Sequence, residues 1–184
     1  SSSAASDVYK RQEEHMLKVK HVVNCALNDE SYLEVVKDII FHSEVLKMKK
    51  FVQHGDTSCY EHCINVSYVG YLVAQKFGWD YVSIARAGLL HDMFLYDWRE
   101  YKNSYHNVTS SHAIIHGKIA LENASKYFSL NEKEREMIKK HMWPITIFFP
   151  RHGMTYLVGI VDKYCAVAEF LSMRLHQKED CTDP

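Results

Sequence analysis

The chain has 184 residues, 47% of them hydrophobic and 24% charged, with a formal net charge of -1. That is enough chain for one domain with a sizeable core, and the charge gives no reason to expect a nucleic-acid polymer or an anionic membrane as partner. No apolar run approaches the ~20 residues that span a bilayer, and the start lacks the basic-then-apolar layout of a secretory signal.

In chain order, "SDVYKRQ" at residues 6–12 reads as a translated sequencing-library adapter, so residues 1–12 are expected to be foreign to the fold. A single domain is expected over 13–176, with a polar tail over 177–184. Met16, Val19, Val22, Val23, Ala26 and Leu27 fit one helix; Leu33, Val36, Ile39 and Ile40 fit a second that begins near Asp29–Ser31. A short helix is expected over 44–53, ending before Gly55. Ser58 is placed to cap a long helix that Gly78 closes, and the next helix opens near Asp80 and runs into His91.

Residues 93–108 mix aromatic and charged residues without periodicity and read as a loop. Thr109–Ser111 then open a helix to Phe128, and Asn131 with Glu134 has the spacing of a capping box for a helix ending near His141. "WPITIFFPRHG" reads as a connection before a final helix over roughly 154–176. No strand pattern appears, so the fold class expected is all-α, a compact helical bundle.

Twelve histidines stand out. His62 has Val66, Val69 and Val73 on its helix face, which turns the imidazole toward the core. His116 shares a face with Ile119 and Ala120, His141 follows Met137 and Ile138, and Asp162 shares a face with Val158, Cys165 and Glu169. Together with the pair His91-Asp92 at the end of "AGLLHD", five helices each aim a metal-type ligand inward. An ionised aspartate facing a core is costly unless it is paired, hydrogen-bonded or bound to metal. One metal cluster accounts for all six residues, whereas separate burials need six partners. His112, one turn before His116, is the competing ligand on its helix; His54, His106 and His152 read as loop residues. Cys59 and Cys63 read as small helix side chains. The five cysteines form no CxxC and are odd in number, which favours free thiols in a reducing cytoplasm.

The order His62, His91-Asp92, His116, His141, Asp162 resembles the HD-domain superfamily of metal-dependent phosphohydrolases. The contexts "YEHCINVSYVGYLVA", "ARAGLLHD", "HGKIALENA", "IKKHMWP" and "VDKYCAVAE" carry the resemblance, which covers about residues 51–172. It implies a helical HD domain from a bacterial source with a central metal site. His62, His91, Asp92 and Asp162 would hold a first metal, and Asp92 would bridge to a second held by His116 and His141. Two divalent transition-metal ions are implied, and histidine with carboxylate suits iron, manganese or zinc. The implied activity is hydrolysis of a phosphate ester or anhydride of a nucleotide or other small phosphorylated metabolite. Asp92 and His91 would be central to catalysis, with a water activated between the metals as nucleophile. Lys118, Lys140, Arg151 and Trp98 are candidates for substrate contact, and Lys163 is a further cation near Asp162. Leu95 stands where the cyclic-dinucleotide branch carries lysine, which argues against that branch. Two alternatives stay open: an HD-type di-iron oxygenase, and a non-catalytic metal- or nucleotide-binding regulatory module. The sequence leaves the oligomeric state undetermined.

Overall fold

The computed structural model describes residues 21–54, 57–97 and 111–179, with the side chains of His54, 111–114 and 174–179 excepted. Trp98, His106, the adapter-like start and the polar tail from 180 onward lie outside the described residues.

Four helices begin where a short polar side chain accepts from the exposed N–H groups of a first turn. A first helical stretch, α1, covers 21–28. Asp29 then accepts from the Tyr32 backbone N–H at 3.0 Å and opens α2, Glu30–Ile40. After α3 (Ser43–Leu46) the chain tightens into a 3₁₀ turn, Lys47–Lys50. The helix expected over 44–53 therefore ends at Lys50, because Phe51 turns extended. Val52–His54 (β1) then pairs antiparallel with Thr57–Ser58 (β2). Strands this short carry too few residues for alternation to show in sequence.

Ser58 and Glu61 close a reciprocal capping box on α4, Cys59–Lys76. Asp80 accepts from the Ser83 N–H to begin α5, Tyr81–Leu90. The helix α6 spans Ser111–Tyr127, and Asn131 with Glu134 forms a second capping box for α7, Glu132–Lys140. The last helix, α8, runs Gly153–Glu179, slightly longer at both ends than the spacing suggests.

The bundle is all-α apart from the β1–β2 hairpin among the described residues. It centres on α4, which packs on α5 and α8, while α7 bridges α5, α6 and α8. Tyr32, Ile39, Ile64, Ile84, Leu89, Leu90, Met137 and Ile138 are fully buried between these helices. A buried polar chain crosses the same core: the Tyr32 hydroxyl donates to Ser67 Oγ, which donates to the Ala85 carbonyl at 2.6 Å. Arg86 joins three helices by bonding Asp38 on α2 and Glu134 on α7. Met93 and Phe94, expected in a loop, are core residues that follow α5 inward. Among the described residues no helix is long and apolar enough to cross a membrane.

Candidate metal centre

The helix ends decide where the donors point. His62 lies in the first turn of α4, which the Ser58–Glu61 box fixes. His91 and His141 occupy the same local position, the residue that caps the C-terminus of α5 and of α7. In each, the ring Nδ1 meets the carbonyl three residues back: Gly88 at 2.8 Å for His91, Ile138 at 2.9 Å for His141. Donation from Nδ1–H to that carbonyl leaves Nε2 directed into the bundle. His62 achieves the same orientation through Glu169, whose Oε2 is 2.9 Å from Nδ1. Glu169 is itself steadied by the Asn65 amide at 2.9 Å.

Five helices thus deliver His62, His91, Asp92, His116, His141 and Asp162 to one buried centre. Asp162 Oδ1 is 3.1 Å from His62 Nε2 and 3.6 Å from His91 Nε2. The two oxygens of Asp92 divide the cluster. Oδ2 faces His91 at 3.5 Å and His62 at 4.0 Å, while Oδ1 faces His116 at 3.4 Å and His141 at 3.7 Å. His116 and His141 approach each other Nε2 to Nε2 at 2.8 Å. Adjacent ligands ~2.1 Å from one ion lie about 3 Å apart, so this separation, that of a hydrogen bond between the rings, is also short enough for two ligands of one ion.

The residues fit a cation on their own evidence. His91 Nε2 and Asp92 Oδ1 are buried and have no hydrogen-bond partner, a cost that coordination removes. Three overlapping triads, His62-His91-Asp92, His91-His141-Asp162 and Asp92-His116-His141, have donor atoms within 4.8 Å of one another. The buried His/Asp cluster can hold metal ions.

Its electrostatics without metal follow from burial and the carboxylates. Burial opposes the charged form of His62, but Glu169 and Asp162 outweigh it and hold the imidazole well above its ordinary 6.5. Burial is likewise overcome at His91, chiefly by Asp92, with Cys63 and Asp162 adding to it. For Asp92 and Asp162, burial favours the neutral acid, yet the surrounding histidines keep both below the usual carboxylate range. His141 moves the other way, down to about 3, through burial and then the nearby His116 and His91.

Metal must therefore displace protons from His62 and His91. Uptake near neutral pH is expected to release one proton from each, and affinity is expected to rise with pH until both are neutral. Calorimetry in buffers of different ionisation enthalpy counts those protons; uptake without release contradicts the assignment. The linkage runs oppositely in metal-free protein. Because both folded pKa values are raised, their stabilisation is complete below about 6.5 and disappears as pH climbs through the raised values.

Small residues let the backbones close in. A Cβ on Gly117, beside His116, would sit 2.8 Å from the Lys139 carbonyl oxygen. One on Gly159 would overlap the His141 carbonyl oxygen. Lys163 bonds that same His141 oxygen at 3.3 Å and the Gly159 oxygen at 3.1 Å, fastening α8 to the end of α7.

The other candidates fall elsewhere. Lys118 stands on the solvent face of α6, paired with Glu122 at 3.7 Å. Lys140 bonds Glu136 and the Phe149 carbonyl, and Arg151 is exposed with its backbone N–H on Glu136. The side chains of His54 and His112 are outside the described part. His152 is half-buried and enters none of the three triads.

Two contributors escaped the sequence reading. Gln53, on β1, donates its amide to Asp92 Oδ2. Glu169 was legible only as a neighbour on the Asp162 face. Its signal was a second carboxylate, two turns on, facing a core where an unpaired charge does not survive. Glu169→Gln keeps an acceptor for His62 but removes the charge. Metal affinity is expected to fall about 10–100-fold, as read by competition with a chromophoric chelator; unchanged affinity would make the contact incidental.

No protein-family model, curated protein or solved structure matches the chain. The donor geometry therefore carries the functional reading alone.

Proposed function

We propose that the chain is an HD-type metal-dependent phosphohydrolase acting on a phosphate ester or anhydride of a nucleotide or other small phosphorylated metabolite. The observation that carries this reading is the Asp92 carboxylate, with one oxygen toward His62 and His91 and the other toward His116 and His141. A carboxylate so placed would be shared by two cations. His62, His91 and Asp162 would complete one site with it, and His116 and His141 the other. The nitrogen and oxygen donors suit iron, manganese or zinc.

Two bound divalent ions would supply a water acidified toward neutrality and positive charge for phosphate oxygens. The protein side of the chemistry is positional. The carbonyls of Gly88 and Ile138 and the carboxylate of Glu169 fix three imidazoles, so little reorganisation accompanies reaction. The nearby thiols do not offer a competing nucleophile: burial raises Cys59 and Cys63 above the ordinary thiol range, which suppresses thiolate.

Among the carboxylates and histidines of the cluster, the Asp162 side chain is the most exposed, at 10%. It marks the side from which a small phosphate would approach. Lys163, with its side chain 41% exposed and Nζ 3.8 Å from Asp162 Oδ2, is a cation beside it.

The test is phosphate release by protein loaded with Mn²⁺, or with Fe²⁺ under anaerobic conditions, across nucleotides and small phosphate esters, with oxygen uptake followed in parallel. Release that requires an intact Asp92 supports the proposal and begins to name the substrate. Oxygen consumption by the diferrous protein without phosphate release overturns it in favour of oxygenase chemistry.

A further inference from the structure

The last helix is built inside out. Between 160 and 171 its two carboxylates, Asp162 and Glu169, are both buried against the histidine cluster. Lys163 is fastened to the carbonyls of His141 and Gly159. The opposite face carries Ile160, Tyr164, Val167 and Leu171, which are 65%, 65%, 60% and 46% exposed. A helix at a protein surface ordinarily presents charge to solvent; the solvent side of α8 presents four large apolar residues instead.

The spacing of those four residues is informative. Steps of four, three and four are the a/d pattern of a seam between two helices. Their exposed surface is roughly 500 Å², given the size of the side chains, at the upper end of what a monomer normally leaves open. It continues past Tyr156, one turn before Ile160. Tyr156 packs on Trp143 with ring centroids 5.0 Å apart, and Trp143 contacts Phe149, which is 73% exposed. With that rim the patch approaches the ~800 Å² per partner of a standard interface.

We propose that this face of α8 is the interface between two copies of the chain. A charge-free seam fits an identical seam without leaving any charge unpaired, and a two-fold axis near Tyr164 and Val167 places each stripe on the other. The proposal is independent of the chemistry assigned to the metal centre.

Sedimentation of the 184-residue chain over a micromolar concentration series tests it. The expected result is a dimer, converted to monomer by Tyr164→Glu with Val167→Glu, with at least about 100-fold weaker association because like charges then meet at the seam. Circular dichroism confirms the fold of the variant. A wild-type monomer throughout the series overturns the proposal and leaves the stripe to another partner. So does a dimer that persists in the folded variant. Should the variant fail to fold, oxidative footprinting of the wild type decides. Tyr164 should become protected as concentration rises while Phe77, 62% exposed on the end of α4, does not; equal labelling of both overturns the interface.

Discussion

With the proposed two-ion phosphohydrolase centre, Asp92→Ala is expected to abolish binding of both metals and, with them, phosphate release, while the helical bundle still forms. The expectation rests on position. Asp92 is the residue whose two oxygens face both histidine sets, at 3.4 and 3.7 Å on one side and 3.5 and 4.0 Å on the other. Losing an outer residue that orients a ligand costs about 10–100-fold in affinity, and losing a shared ligand exceeds that at each ion. His62 and His91 would keep Asp162 and Glu169 but lose the nearest carboxylate of His91, so its pKa is expected to fall toward 6.5. NMR titration of the ring protons in metal-free protein reads this separately from activity. An Asp92→Ala chain that keeps two ions would remove the bridge from the account.

Gly159→Ala is expected to destabilise the protein where the same change in an open helix would stabilise it. Alanine gains about 1 kcal/mol over glycine in a free helix interior. At this position the added Cβ overlaps the His141 carbonyl oxygen, a backbone atom with no rotamer to yield. Relief requires α7 and α8 to separate, at about 1–3 kcal/mol for an overpacked contact, or roughly 2–12 °C in Tm at this chain length. The displacement acts on His141, so an ion held by His116 and His141 should weaken before one held by His62, His91 and Asp162. Thermal denaturation with a metal count on the same sample checks both parts. A raised Tm with full metal content would contradict the close packing of α7 on α8.

The helices were legible because their ends are chemical. Asp29, Ser58, Asp80 and Asn131 are side chains that accept from a first turn, and each does so here. The candidate ligands His62, His116, His141 and Asp162 were legible because apolar spacing on their own helices aimed them inward, and His91-Asp92 because it ends an apolar run; all six are buried together. Periodicity says nothing about pieces shorter than a period, so the β1–β2 hairpin stayed hidden, and Gln53 with it. Met93 and Phe94 looked like loop because their burial depends on where α5 ends relative to α6, a tertiary fact: Asn123 on α6 donates to the Met93 carbonyl. The roles of Gly117 and Glu169 depend on contacts across helices, which spacing within one helix does not encode.

Metal content per chain, measured on anaerobically reconstituted wild-type and Asp92→Ala protein with manganese as reporter, tests the central claim most directly. The account predicts two ions per wild-type chain with an exchange-coupled paramagnetic resonance signal, and neither ions nor coupling in the variant. A folded wild type that binds one isolated ion or none would contradict a centre shared through Asp92.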